Sequence, residues 1–421
     1  MLKFLAKGLV RDRSRSFFPI LIIAAGVMLT VIFYSWLNGY INMLIEDNAR
    51  FDTGHVKIVT RAYNELIDQK PYDLAMMNVG HRIETLSRDY PQIQWQPRIY
   101  FGGILDVPDE NKETLKQGKV AGLGVNLLNS NFERDILNLE QAIKQGKMPS
   151  KLGEILISRD IAEKLGIQIN DEVTMFGSTM YGSITMQNFI VSGIVVFGVQ
   201  ILDKGAVIID ISDVRKFLDM EDSASEILGF IPKYNEAATY QISAEFNEQN
   251  SDPTEEFSEI MIPLKDQGQM AFMINVIDQR MGMFIFIFIF VMSLVLWNSG
   301  LMNGIRRYGE IGVRLAIGES KGHIYRSLIL ESIIIGITAT IIGTGIGLIF
   351  AFMLQHYGIN ISSFMKDAEV IMNSTMRAQI TPSCYVIGFI PGVFASIIGA
   401  CFAGIGIYRR NTAQLFKELE T

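Results

Sequence analysis

Apolar positions fall into two textures along this chain. Four runs, Phe17 to Leu37, Met281 to Met302, Ser327 to Leu354 and Cys384 to Tyr408, are apolar almost without interruption. As helices rising about 1.5 Å per residue, each is long enough to cross the roughly 30 Å of hydrocarbon in a bilayer. Between the first and second runs the texture changes to short alternating stretches broken by turn residues, the pattern of one-sided strands facing water. The pattern predicts an α-helical membrane protein with four transmembrane helices and a large α+β domain inserted between helices 1 and 2.

The numbered divisions follow from these textures. Residues 1–16 alternate apolar and basic, suited to an amphipathic helix in the headgroup layer or to a disordered basic tail. Residues 17–48 hold the first span and a stalk, with Phe33, Tyr34, Trp36 and Tyr40 as an aromatic belt. The first span is longer than a signal-peptide core and no small-residue cleavage site follows it, so an uncleaved anchor is expected. The α+β domain takes residues 49–267, and a second stalk and span take 268–302. A basic loop (303–326), the third span (327–355), a polar loop (356–383), the fourth span (384–408) and a basic tail (409–421) complete the chain. No proline interrupts Lys265 to Asn298, so one helix is expected to leave the domain and enter the bilayer as a lever.

Within 49–267, the pattern predicts strands at His55–Thr60, Gln94–Val107, Ile155–Ile157, Ile184–Phe197, Ala206–Ile209 and Ala238–Phe246, and another from Glu172. Gly102 and Gly103 mark a bulge or turn. Helices are expected over Asn78–Tyr90, after an N-cap at Ser158 as far as Leu165, and over Ser212–Leu218 with Ser212 as cap. One-sided alternation favours antiparallel or mixed sheets. Gly343 and Gly347, and Gly388 and Gly392, stand at the four-residue spacing that lets helix backbones approach, so the third and fourth spans should pack on each other or on a neighbour.

Charge then orients the chain. The net charge is −7, yet Tyr40 to Arg280 holds 36 acidic against 22 basic side chains, a net of −14 that leaves +7 for the flanks. Positive flanks stay cytoplasmic, so the acidic domain is expected to be extracytoplasmic and both termini cytoplasmic. The same acidity argues against nucleic acid as a partner. Cys384 and Cys401, about 25 Å apart on a helix, are too distant to bridge. No Gly-x-x-x-x-Gly-Lys-Ser/Thr loop occurs, the four histidines are scattered, and no Ser, His and acidic set can be nominated, so no cofactor, metal or catalytic group is assigned to this chain. Methionines 273, 281, 283 and 292 around the second span suit either a surface for varied acyl chains or simple helix filling. Glu331, one turn inside the third span, reads as a functional carboxylate or as a snorkelling interface residue.

The loop between the second and third spans carries the most specific motif. Arg307, Glu310, Ile311, Gly312, Ala316, Ile317 and Gly318 spell R-x-x-E-I-G-x-x-x-A-I-G, with Arg314 inside it, in a basic helix-forming stretch too charged to be a span. A bare solvated loop with no partner is the bland alternative. The motif resembles the cytoplasmic loop of the FtsX-like, MacB-type permease family of ABC transporters. Gly166, Asp171 and Val173 resemble a turn of that family's soluble domain. Gly54, His55, Val56 and Ile58 resemble the start of the domain in its LolC and LolE lipoprotein-releasing permeases.

The resemblance implies a permease without its own ATPase, placed in the bacterial inner membrane. A LolD-like ABC ATPase dimer, carrying ATP and Mg2+, would dock on Arg307, Glu310, Ile311, Gly312, Arg314, Ala316, Ile317 and Gly318. It also implies a second permease copy or sister permease, membrane lipid, a lipoprotein substrate and a LolA-like periplasmic chaperone. The substrate cavity, chosen by position near the outer interface, would be lined by Phe33, Trp36, Leu37, Tyr40, Ile41 and Leu44 from the first span and Met273, Ile277, Met281 and Phe284 from the second. The projecting loop that recruits the chaperone corresponds to Gly177–Met186, here short, polar and proline-free, so that contact is expected to fall to a partner permease. The tail also lacks the proline common in the family's ending. Two further readings share the fold: an efflux permease for peptides or drugs, and a regulator that flexes to activate an extracytoplasmic hydrolase.

Overall fold

The computed structural model describes residues 13–108, 114–197, 205–232, 234–305, 308–360 and 375–409. Most of the amphipathic segment 1–16 and the tail beyond Arg409 lie outside the described residues. The described chain forms two compact units, one built on residues 44–275 and the other on the helices before and after them.

Helix α1 runs without a break over Arg13–Asn48 and ends in a π-turn, Ala49–Thr53. The β-rich unit then follows in the order β1 (Val56–Thr60), α2 (Val79–Asp89), β2 (Gln94–Pro108), β3 (Thr114–Val125), β4 (Ile143–Gly146), β5 (Glu154–Ser158), α3 (Arg159–Leu165), β6 (Glu172–Ser178), β7 (Ile184–Val195), β8 (Ala206–Asp210), α4 (Ile211–Leu218), β9 (Glu226–Phe230), α5 (Glu236–Asn250) and β10 (Glu259–Pro263). Strands pair in the order β10-β1-β9-β2-β3-β8-β5-β7-β4. Strand β6 pairs with both β2 and β7, so β2, β3, β8, β5, β7 and β6 close into a ring. Among the described residues only β3 with β8 and β5 with β7 run parallel.

The long strand β2 serves two sheets: Gln94–Arg98 pair with β9, while Ile99 onward pair with β3. Strands β5 and β8 are buried along their whole lengths, which is why their sequences, Ile155–Ile157 and Val207–Ile209, are continuously apolar instead of alternating. Asn247 shields the outer edge of β10: its side-chain amide donates to the Met261 carbonyl at 2.9 Å and accepts the Met261 N–H at 2.7 Å. A side chain thus occupies hydrogen-bonding groups that would otherwise be open to another chain.

Three expectations within this unit are corrected. Ala238–Phe246 lies in helix α5, not a strand: the Asn235 side chain caps it by accepting the Ala238 N–H, and Thr239, Ser243 and Phe246 are buried at helical spacing. Gly102 and Gly103 make no bulge; they stay in register with Ala121 and Val120, and a Cβ at 103 would lie 2.8 Å from the Phe176 carbonyl. The cap of α4 is Asp210, whose carboxylate accepts the Ser212 N–H at 2.9 Å. Ser158, by contrast, stands at the N-cap of α3 as expected, though its side chain makes no capping hydrogen bond.

The helical unit continues with α6 (Gly268–Ile305), α7 (Tyr308–Ala316), α8 (Lys321–Tyr357) and α9 (Ala395–Arg409). Four stretches, Phe17–Thr53, Gln279–Asn298, Lys321–Tyr357 and Pro382–Ile405, are long and apolar enough to cross a membrane. The fourth is not the single helix its apolar run suggests. It passes through a 3-10 turn (Pro382–Tyr385) and a π-turn (Ile390–Phe394) before α9, because Pro391 has no N–H to continue an α-helical ladder. Cys384 and Cys401 are free thiols.

Small residues set the packing of the first, third and fourth spans around Val27. A side chain at Gly343 would strike Ala24 and Val27, and one at Gly347 would strike Val31 and Met28. Gly388 and Gly392 abut Val27 too, together with Thr344 and Thr340. The glycine pairs therefore bring both spans against α1 as well as against each other. The second span is 6% buried, against 33%, 39% and 44% for the first, third and fourth, so most of its apolar surface is left uncovered. It is anchored near its end, where Leu296 meets Gly26 and Trp297 meets Phe402.

Candidate functional site

Helix α7 forms where the basic loop was expected to be helical, and Arg307 lies just outside the described residues. Period 3.6 sorts its side chains into two faces. Ile311 packs with Ile324 and Leu328 of α8, Ala400 of α9 and Leu315, and Gly312 is buried beside it. Glu310, Val313, Ala316 and Ile317 face outward, and Ile317 is 81% exposed. Val313 and Ile317, four residues apart, place two exposed apolar side chains next to each other on that face.

The helix stops at Gly318, whose φ of +100° is unfavourable for residues with a Cβ. The Ile317, Gly318 and Glu319 N–H groups accordingly turn back to the carbonyls of Val313, Leu315 and Arg314, each at 3.1 Å. Arg314 holds this turn closed. Its Nε and Nη2 donate to the two oxygens of Glu319, both at 2.6 Å. Hydrogen bonding from Arg314 holds the Glu319 carboxyl below its usual range, and the same bonds raise Arg314. Glu331 is half-buried and adds to the field that favours Arg314's charge. Of the residues expected to meet a partner, Ile311 and Gly312 therefore anchor the helix, Arg314 and Gly318 shape its end, and Glu310, Ala316 and Ile317 are presented. Val313, 42% exposed beside Ile317, belongs with them and was missed because an apolar residue inside an apolar-rich motif reads as core.

The proposed cavity residues are only partly brought together. Phe33 lies 6.3 Å from Trp36 between ring centroids and stacks at 4.2 Å on Phe288, not on Phe284, which is exposed. Leu37 is buried, while Trp36, Tyr40, Ile41, Ile277 and Met281 are half-buried. Leu44 and Met273 fall in the β-rich unit. The Phe33–Phe288 contact had no signal in sequence, since four alternating phenylalanines spread around a helix and the spacing does not select which of them meets α1.

The Gly177–Met186 hairpin differs from expectation. Tyr181, Ile184 and Met186 are 71%, 89% and 71% exposed, and across the strands Met186 pairs with Phe176, which pairs with Ile104. An apolar row thus lies on the outside of β2, β6 and β7. Among the described residues no group of three or more His, Cys, Asp or Glu side chains is arranged to hold a metal.

Residues 282–412 match the family model described as FtsX-like permease C-terminal. That stretch begins in α6 and takes in α7, α8 and the fourth span, so the exposed helix lies within the matched residues. No curated protein matches the chain by sequence. Among solved structures, the periplasmic region of MacB from Actinobacillus actinomycetemcomitans is similar at 13% identity over 51% of this chain and 90% of that chain, with a TM-score of 0.35. A domain of a Porphyromonas gingivalis protein described as a permease is similar at 10% identity over 51% and 90%, with a TM-score of 0.27.

Proposed function

We propose that this chain is the permease subunit of an ABC transporter, converting ATP hydrolysis by a separate ATPase into movement of the β-rich unit across the membrane from it. The supporting observation is α7 in its domain context: an FtsX-like permease segment that buries Ile311 and Gly312 while presenting Glu310, Val313 and Ile317. A LolD-like ATPase dimer docks there on the cytoplasmic side and carries the ATP and Mg2+. The acidic β-rich unit stands on the periplasmic side of the inner membrane, as positive flanks require.

The cargo in this reading is an acylated lipoprotein. It enters between the first and second spans, beside Phe33, Trp36 and the exposed aromatic side chains of α6, and is driven out of the bilayer as the spans close. A second permease copy or sister permease completes the cavity, consistent with the uncovered surface of the second span. The apolar row at Ile104, Phe176 and Met186 suits contact with a LolA-like soluble chaperone. Purification of the complex from membranes, followed by mass spectrometry of what it carries, tests the reading. Acylated proteins together with an ABC ATPase support it. A peptide or drug with an outer-membrane adaptor, or a cell-wall hydrolase and no cargo, replaces it with efflux or regulation.

A further inference from the structure

Arg98 is fully buried where β2 passes from one sheet to the other. Its Nε donates to Glu133 Oε1 at 3.0 Å and its Nη2 to Glu133 Oε2 at 2.8 Å, a forked pair with both side chains out of water. The remaining donors leave the sheet altogether. Nη1 donates to the Phe51 carbonyl at 2.9 Å, and Nη2 to the Arg50 carbonyl at 2.8 Å. Those carbonyls belong to the π-turn that ends α1, and the last carbonyls of a helix have no N–H partner of their own. They also form the negative end of the helix dipole. A buried guanidinium from β2, balanced by Glu133, therefore caps the end of the helix that begins as the first span.

A second tie lies beside it. His55 accepts the Ile231 N–H on Nδ1 at 2.9 Å, which leaves Nε2 as the protonated nitrogen facing Glu46 Oε2 at 3.3 Å. Glu46 is on α1, while His55 and Ile231 flank β1 and β9. The helix end is thus held at its carbonyls by Arg98 and at a side chain by His55.

We propose that Arg98 is a positioning residue that makes the last turns of α1 and the β-rich unit one rigid body, so that displacement of the first span is delivered to the strands without a hinge. The delivery of motion rests on the permease reading; the rigid joint does not. Replacing one partner alone would strand a buried charge, so the test variant is Arg98→Met with Glu133→Leu, since apolar substitution of a whole buried ion pair generally preserves folding. In the full-length detergent-purified chain, hydrogen exchange at Asn48–Thr53 should be about tenfold faster than in the parent, with Leu123 and Ile208 unchanged in β3 and β8. Unchanged protection at Asn48–Thr53 overturns the joint. Loss of protection in β3 and β8 as well also overturns it, by making the pair a support for the whole unit. In the complex with its ATPase, ATP plus vanadate should change exchange in the β-rich unit of the parent and leave the variant unaffected. An equal response in both overturns the delivery of motion through Arg98. No response in the parent removes the permease reading and leaves the joint standing on the exchange of the isolated chain.

Discussion

Arg314 and Glu319 face each other across Gly318 through two parallel hydrogen bonds of 2.6 Å. Because hydrogen bonding from Arg314 depresses Glu319, the pair's contribution is present at neutral pH and is lost as pH falls through the folded Glu319 value, which lies below 4.5. Exchange protection of the Ile317–Glu319 amides should stay level from neutral pH through the usual glutamate range and fall only in more acid solution. The measurement belongs in a His323→Ala background, since His323 lies 3.6 Å from Glu319. Glu319→Gln should loosen the turn wherever Glu319 is ionised in the parent, make no difference once it is protonated, and lower global stability by less than about 1 kcal/mol, because both side chains remain partly in water.

Docking on α7 predicts a division among its substitutions. Ile317→Asp alters a presented apolar side chain, so the chain should insert and unfold as the parent does while losing copurification with the ATPase; Glu310→Lys should lose copurification too, and it also sets a cation in the field of Arg314. Gly312→Pro breaks the helix at a buried position and should uncouple hydrolysis from transport with insertion intact. Retained ATPase binding and transport in all three would count against this surface.

Glycines in the spans should divide by what surrounds them. At Gly392 an added Cβ would collide with Thr340 Oγ1 and lie 2.7 Å from Val27, so Gly392→Ala is expected to cost about 1–3 kcal/mol. Nothing lies within 4 Å of a Cβ at Gly345, and Gly345→Ala should be neutral or stabilising by up to about 1 kcal/mol. Thermal unfolding of both variants in one detergent checks the contrast.

Asp210 and Ser212 offer a similar contrast in the β-rich unit. The buried Asp210 carboxylate accepts the N–H groups of Leu127 and Leu128 at 3.0 Å each, as well as that of Ser212. Asp210→Ala leaves three donors without this acceptor and should cost about 2–4 kcal/mol, whereas Ser212→Ala should cost less than about 0.5 kcal/mol. Denaturant midpoints of the two variants decide which residue caps α4.

What could be read from the sequence was what a few neighbouring residues settle among themselves. Uninterrupted apolar length marked the four spans, a charged helix-forming composition marked α7, and most strands appeared where alternation or a short apolar run met turn residues. Each of these rests on local terms of one element's own burial and hydrogen bonding. Ala238–Phe246 failed that test because a short alternation is compatible with both periods, and only the Asn235 cap and the burial of Thr239, Ser243 and Phe246 select the helix. In the fourth span, the apolar run concealed the effect of Pro391 on the backbone.

Tertiary structure decided which groups, distant in sequence, complete one another's bonding. Nothing near Arg98 announces that it caps a helix ending at residues 50 and 51, nothing near β6 shows that it closes a ring between β2 and β7, and the apolar row outside that ring exists only once three strands are in register. Local sequence limits each segment to a few conformations. The choice of partner depends on long-range burial and hydrogen bonds, whose free energy exists only after the elements have met.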